Sequence, residues 1–288
     1  MRYQVIHLKG AYPFLCNEKR DPILTIYLPD NLSEMGRQVQ IRPCLLICPG
    51  GGYAMCSQRE AEPVALHFLP EGYNVFVLTY SVAPNQFPAQ LCEVAAAMEL
   101  IHSNAEAWHC DRSQIAIMGF SAGGHLAAQY SNCYDWPEVR QYFPDSKPVH
   151  ASILCYPVIS AASAVAHLGS FENLLGHSHL TQEEITRFSC DLQVTKRTPP
   201  SFLWHTAPDD CVPVMNSLLY AKALAAHGVP FELHVYPCGW HGLSTVDEQT
   251  NEPLEPEVTH AADWLEAAKK WLDITFGKKN SAGGKMSL

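Results

Sequence analysis

Residues 119–123 read Gly-Phe-Ser-Ala-Gly, which places Ser121 between two glycines at the end of the apolar run Ile-Ala-Ile-Met. A helix-like stretch, His-Leu-Ala-Ala-Gln-Tyr, follows at residues 125–130. In a strand–turn–helix of this kind, glycines beside the serine remove side chains that would collide with neighbouring elements, and the tight turn holds the serine oxygen above the sheet. The dipole of the helix N-terminus lies behind negative charge that develops there. The pattern predicts a nucleophilic serine at position 121.

The residues that would activate this serine occur later in the chain. A nucleophilic serine needs a base that accepts its proton and a carboxylate that orients the base, and in this setting the order is serine, acid, histidine. Asp209 and Asp210 follow the apolar run at 201–206, and His241 lies in a glycine-flanked loop after the run at 231–237. His241 is therefore the predicted base. The two aspartates remain alternatives, because either could face the imidazole while the other caps a helix or faces water.

Backbone N–H groups that could bind an oxyanion are predicted in two places. The glycines at 50–52 follow Pro49 and the apolar run at 44–48, and their lack of side chains lets N–H groups approach a small anion closely. The N–H of Ala122, directly after the serine, would act together with those of Gly51 and Gly52. The glycines are not followed by Gly-Lys-Ser/Thr, so they do not form a phosphate loop. Together these residues predict attack of a serine on a carbonyl group.

Four residues near these loops each fit two alternative roles. Tyr53 and Trp240 flank the candidate loops and fit either an apolar or sugar-stacking pocket wall or ordinary packing. Arg59 and Glu60 follow the glycines closely and are expected to begin a surface helix, with the pocket entrance as the alternative.

The elements that position these residues follow a regular alternation. Continuous apolar runs predict strands at 3–8, 23–28, 44–48, 74–80, 114–120, 151–157, 201–206 and 231–237. Helix-like stretches lie at 60–69, 91–108, 125–131, 215–227 and 257–274. This order predicts an α/β fold in which helices flank a mostly parallel sheet with an antiparallel edge at the N-terminus.

One domain over residues 1–276 is expected from this pattern. The stretch at 160–200 breaks the rhythm and is expected to form a lid over the carboxyl edge of the sheet, with a peripheral connection as the alternative. The tail at 277–288 is small and polar and is expected to be disordered.

The composition limits the kinds of molecule that the protein is expected to bind. The 288 residues carry a formal net charge of -10, which argues against nucleic acid and anionic membranes as partners. The 11 cysteines include no CxxC pair, and the N-terminus lacks the apolar stretch of a signal peptide, so a cytoplasmic protein is expected. His177 and His179 resemble a metal-ligand pair without a third ligand nearby, and neither a metal nor an organic cofactor is expected.

Several longer stretches resemble a known family. PGGGY (49–53), YSVAP (80–84), GFSAGGH (119–125), YPVIS (156–160) and TPPSFLWHT (198–206) are similar to the α/β-hydrolase esterases of the hormone-sensitive-lipase kind. The chain resembles bacterial carbohydrate acetyl-esterases more closely, and the likeness extends from about residue 45 to residue 241. The related lipases carry histidine where this chain has Pro49, whereas the closer subfamily also has proline.

The resemblance implies an α/β-hydrolase fold, a Ser121–His241–Asp209 triad and an ester substrate. The family's aspartate begins a D-x-x-V-P pattern, which corresponds here to Asp209 and Pro213. The implied activity is removal of short acyl groups, above all acetyl, from sugars or oligosaccharides through an acyl-enzyme. A small-molecule amidase or formamidase and a general short-chain esterase remain the alternatives, and the oligomeric state is not predicted.

Overall fold

The structure is a computed structural model that describes residues 1–15, 21–32, 34 and 39–277. Of the tail expected to be disordered, residues 278–288 lie outside the described residues. The strands are β1 (Arg2–His7), β2 (Ile23–Leu28), β3 (Arg42–Cys48), β4 (Asn74–Thr79), β5 (Cys110–Phe120), β6 (Ala151–Cys155), β7 (Ser201–Thr206) and β8 (Phe231–Tyr236).

The α-helices of the described part vary in length from 4 to 15 residues. They are α1 (Leu8–Ala11), α2 (Glu62–Phe68), α3 (Ala89–Ser103), α4 (Ala105–Trp108), α5 (Ala122–Cys133), α6 (Pro137–Arg140), α7 (Leu168–Leu175), α8 (Gln182–Phe188), α9 (Met215–His227) and α10 (Asp263–Thr275). Short 3₁₀ helices occur at Pro13–Leu15, Gln58–Glu60, Cys190–Gln193 and Pro256–Ala262.

The strands form one sheet in the order β1-β2-β4-β3-β5-β6-β7-β8. β1 and β2 pair antiparallel, β2 also pairs antiparallel with β4, and the neighbouring strands from β4 onward in that order are parallel. The predicted mostly parallel sheet with an antiparallel N-terminal edge is therefore confirmed.

Helices cover both faces of this sheet, which explains the continuous apolar runs. Leu126 of α5 and Leu224 of α9 belong to the core on one face. Phe68 of α2 and Trp264 of α10 belong to the core on the other face. Every residue of β3 and β7 is buried as a result.

Two predicted helices differ from the observed ones. The stretch at 91–108 is divided into α3 and α4, because the Asn104 side chain donates to the carbonyl of Leu100 at 2.9 Å and competes with the helical backbone. The stretch at 257–274 begins within the 3₁₀ helix Pro256–Ala262 and becomes α-helical only from Asp263. Neither difference changes the order of the elements, so the carboxyl ends of β3, β5, β7 and β8 still lie along one edge of the sheet.

Candidate active site

Ser121 lies in the turn between β5 and α5, as the sequence predicts. Its φ of 53° is in the left-handed region, which is unusual for a residue with a side chain. A Cβ at position 119 would lie 2.1 Å from the Gly123 carbonyl oxygen, and one at position 123 would lie 2.1 Å from that of Cys48. Only glycine fits at either position, so the two glycines allow the turn that presents the serine.

His241 connects Ser121 to an aspartate. Its Nε2 lies 2.8 Å from the Ser121 Oγ, and its Nδ1 lies 2.7 Å from Oδ2 of Asp209. The backbone N–H groups of Cys211 and Val212 donate to Oδ1 of Asp209 at 3.0 and 2.8 Å. Because both oxygens of the carboxylate are held, the aspartate fixes the plane of the imidazole beside the serine.

The structure distinguishes the two aspartates. Asp209 is 7% exposed and faces His241, whereas Asp210 is exposed. Burial alone would raise the pKa of Asp209, but hydrogen bonds from His205 and His241 outweigh burial and hold this pKa well below its usual 3.8. Asp209 is therefore a carboxylate at any pH where the protein would work.

His205, in β7, is a neighbour of Asp209 that sequence reasoning missed. Its imidazole is fully buried, and Nε2 lies 2.8 Å from the Val212 carbonyl oxygen and 3.2 Å from Oδ2 of Asp209. Because a carbonyl only accepts, Nε2 carries the proton and Nδ1 accepts from the Ser217 hydroxyl at 2.8 Å. His205 thus donates towards the aspartate. The sequence feature that could have indicated this role is a histidine near the carboxyl end of a buried strand.

The glycine loop after β3 lies directly against the nucleophile. A Cβ at Gly50 would lie 3.0 Å from the Ser121 Cβ. Gly51 has a φ of 125°, and a Cβ there would lie 2.3 Å from the Met55 carbonyl oxygen. Among the described residues, the N–H groups of Gly51, Gly52 and Ala122 have no hydrogen-bond acceptor. Such free N–H groups beside a serine can bind the negative oxygen of a tetrahedral intermediate.

Glu60 is buried rather than at the start of a surface helix, so the expectation for it was wrong. Its carboxylate is 3% exposed and accepts from the Gly50 N–H at 2.8 Å and from the Tyr156 hydroxyl at 2.7 Å. The Tyr156 hydroxyl also accepts from the Ser244 N–H at 2.9 Å, and its ring packs edge-on against His241 with centroids 5.1 Å apart. Burial raises the pKa of Glu60. One carboxylate thus joins the glycine loop to the histidine loop.

Tyr53 packs in the interior and does not form a pocket wall. Its side chain is 1% exposed, and its hydroxyl lies 2.8 Å from Nδ1 of His125. His125 in turn donates from Nε2 to the carbonyl of Phe188 at 2.8 Å. Through these hydrogen bonds Tyr53 connects the glycine loop to α5 and to the end of α8, and this satisfies the polar groups of its buried side chain. Trp240, beside His241, is 37% exposed.

The stretch at 160–200 contains α7 and α8 and contacts the glycine loop. The Asn173 side chain donates to the Gly52 carbonyl at 2.9 Å. His167 is hydrogen-bonded to Ser170 at 2.8 Å, and its Cε1 would lie 3.9 Å from a Cβ at Gly52. These contacts put the stretch beside the candidate site, and its role as a lid stays a prediction.

The described residues contain no cluster that would form a metal site. Across residues 1–15, 21–32, 34 and 39–277, three or more His, Cys, Asp or Glu side chains nowhere come together as metal ligands. His177 uses both ring nitrogens, one on the His179 carbonyl and one on Glu184. The helices in these ranges are all too short or too polar to span a bilayer.

Comparisons with known proteins show the family of the chain. Residues 24–224 match the BD-FAE family. The chain is 36% identical over 233 residues to endo-1,4-beta-xylanase B of Butyrivibrio fibrisolvens, covering 77% of this chain and 36% of the relative. It is 32% identical over 224 residues to an acetylxylan esterase of Xylanibacter ruminicola, covering 76% of this chain and 43% of the relative. The chain thus spans less than half the length of these two relatives.

Solved structures match over nearly their whole length. The acetyl ester-xyloside bifunctional hydrolase of Caldicellulosiruptor lactoaceticus has a TM-score of 0.80 and 36% identity, with 94% of this chain and 96% of the other covered. The carboxylesterase Cest-2923 of Lactobacillus plantarum has a TM-score of 0.79 and 30% identity, with 95% and 97% covered.

Proposed function

Because the chain belongs to the BD-FAE family, within the α/β-hydrolase carbohydrate esterases, we propose that it is a serine esterase that removes acetyl groups from sugars or oligosaccharides. The observation that carries the proposal is the hydrogen-bonded series from Ser121 through His241 to Asp209, at 2.8 and 2.7 Å. A xylanase and an acetylxylan esterase among the relatives support a xylan-derived saccharide as the alcohol part of the substrate.

The first half of the reaction forms an acyl-enzyme. The Ser121 oxygen attacks the ester carbonyl while His241 Nε2 accepts the hydroxyl proton. Asp209 keeps the proton of the imidazole on Nδ1 and stabilises the imidazolium. The N–H groups of Gly51, Gly52 and Ala122 bind the oxyanion of the tetrahedral intermediate. When this intermediate collapses, the sugar oxygen leaves with the proton that His241 returns, and the acetyl group stays on Ser121.

The second half repeats these steps with water. His241 removes a proton from a water molecule, which attacks the acetyl-serine, and the same N–H groups bind the second oxyanion. Collapse releases acetate and returns the proton to Ser121. The stretch at 160–200 acts as a lid in this proposal, since α7 lies beside the loop that binds the oxyanion. A cytoplasmic site of action remains part of the proposal.

Substrate comparison tests the proposal. The kcat/KM is measured for 4-nitrophenyl acetate, butyrate and octanoate, for acetylated xylo-oligosaccharides and for N-formyl compounds. We expect the acetyl ester to be the best chromogenic substrate and acetate to be released from the acetylated saccharides. Faster cleavage of N-formyl compounds would replace the proposal with an amidase. A preference for longer acyl esters without release of acetate from saccharides would replace it with a general esterase.

A further inference from the structure

Two cavities share one aromatic wall, the side chain of Trp240, which directly precedes His241 in the chain. The larger one, of about 570 Å³, is lined by residues that include Arg59, Trp240 and Glu255. The smaller one, of about 380 Å³, is lined by Trp240 and Glu255 again and by Asp210. Trp240 and Glu255 line both cavities, and we call the two neighbouring cavities together the Trp240 groove.

The groove is fixed relative to the proposed base. Arg59 donates from Nη1 to the carbonyl of Thr250 at 2.9 Å, and Asn251 donates to the carbonyl of Leu243 at 2.7 Å. The guanidinium of Arg59 would lie 3.4 Å from a Cβ at Gly242, directly after His241. A ligand in the groove therefore lies next to the loop that carries the histidine, and the hydrogen bonds form the groove before the ligand arrives.

The chemistry of the walls selects the class of ligand. Trp240 is 37% exposed and offers an aromatic surface, on which the apolar face of a sugar ring can stack. Acceptors for hydroxyl groups surround it. They are the carboxylates of Asp210, Glu248, Glu252, Glu255 and Glu257, opposed by the single guanidinium of Arg59.

This combination disfavours acyl chains, anions and metal ions. An acyl chain would leave the carboxylates without partners, and an anion would be repelled by them. A metal ion would need at least three converging ligands, which the described residues do not offer. A neutral, hydroxyl-rich ring satisfies both the indole and the acceptors.

We propose that the Trp240 groove binds neutral glycosyl units of the saccharide beyond the acetylated sugar. This inference rests on the proposed function, because the glycosyl units in the groove belong to the same saccharide whose acetyl group is removed at Ser121. The enzyme would thus prefer esters on oligosaccharides to esters on single sugars, and it would disfavour chains that carry uronic acid groups.

A kinetic comparison tests the groove. The kcat/KM is measured for acetylated xylose, xylobiose, xylotriose and xylotetraose and is divided by that for 4-nitrophenyl acetate, in the wild type and in Trp240→Ala. We expect this ratio to rise with chain length in the wild type. In Trp240→Ala we expect it to fall roughly two- to tenfold for xylotetraose, since contacts of a ring with an aromatic face contribute about that much.

The matched control is Phe231→Ala. Phe231 is 39% exposed and begins β8, at the end opposite to the one that precedes His241. This variant should keep the wild-type dependence on chain length. An equal ratio in the wild type and in Trp240→Ala would overturn the proposal, as would a ratio that is the same for every chain length.

A binding measurement separates the groove from the esterase activity. Unacetylated xylotetraose is titrated into the Ser121→Ala variant and followed by isothermal titration calorimetry, with and without the added Trp240→Ala substitution. We expect saturable binding that Trp240→Ala weakens, and weaker binding of a glucuronosyl-substituted xylotetraose at low salt. If acetate is never released from saccharides but xylotetraose binds, the proposed function fails and the groove stands. If acetate is released but binding does not depend on Trp240, the groove fails.

Discussion

The buried histidine between the glycine loop and α8 should make the stability of the fold depend on pH. The imidazole of His125 is fully buried, donates from Nε2 to the carbonyl of Phe188 and accepts at Nδ1 from the hydroxyl of Tyr53. Burial lowers the pKa of His125 to about 4. A protonated ring could no longer accept from Tyr53, and its charge would lie in the core without a carboxylate partner.

The size of the effect follows from the two pKa values. In the unfolded chain a histidine has a pKa of about 6.5, whereas the folded value for His125 is about 4. Above pH 6.5 neither state binds the proton, so His125 leaves the free energy of unfolding unchanged. As the pH falls from about 6.5 towards about 4, only the unfolded state binds it, and the folded state loses stability. Between pH 7.5 and pH 5 this difference amounts to about 2 kcal/mol.

Urea unfolding at pH 7.5 and pH 5 measures this loss. Wild type should lose about 2 kcal/mol more than His125→Gln between the two pH values, because the variant lacks the group that titrates. The matched control is His227→Gln, which removes an exposed histidine at the end of α9, and it should follow the wild type. Equal losses in wild type and His125→Gln would refute the assignment of a neutral, buried imidazole.

Substitutions of the carboxylates give the remaining predictions. Asp209→Asn should lower kcat/KM for 4-nitrophenyl acetate by roughly 10³- to 10⁴-fold, because an amide no longer holds the imidazole in its tautomer. The exposed Asp210→Asn is the control and should stay near the wild type, so equal losses in both would contradict the assignment. Glu60→Gln should lower kcat roughly tenfold or more, because an amide cannot accept from both Gly50 and Tyr156 as the carboxylate does. An unchanged kcat would show that this carboxylate does not hold the two loops.

The strands and the order of the candidate residues could be predicted from the sequence. β2 and β7 begin and end where their apolar runs do, because helices or strands cover them and leave little room for polar residues. α9 ends at His227 because Gly228 adopts the left-handed conformation that ends a helix. The order of Ser121, Asp209 and His241 was predictable because each follows a strand of one parallel sheet.

The residues around the candidate site could not be predicted in the same way. Glu60 and Tyr156 are 96 residues apart and meet only across the folded sheet. Glu60 follows an arginine at an apparent helix start, so its local sequence indicates a surface position. His125 and Tyr53 are both polar residues whose burial depends on a partner 72 residues away. Local patterns predict elements, whereas pairs of this kind depend on the packing between elements.

The central claim is that the Ser121 oxygen forms the covalent intermediate, and labelling with a fluorophosphonate followed by peptide mapping tests it most directly. We expect a single adduct on the peptide that contains Ser121, with loss of esterase activity in proportion to labelling and no adduct in Ser121→Ala. Full activity in Ser121→Ala, or an adduct on another residue that accounts for the lost activity, would contradict the account.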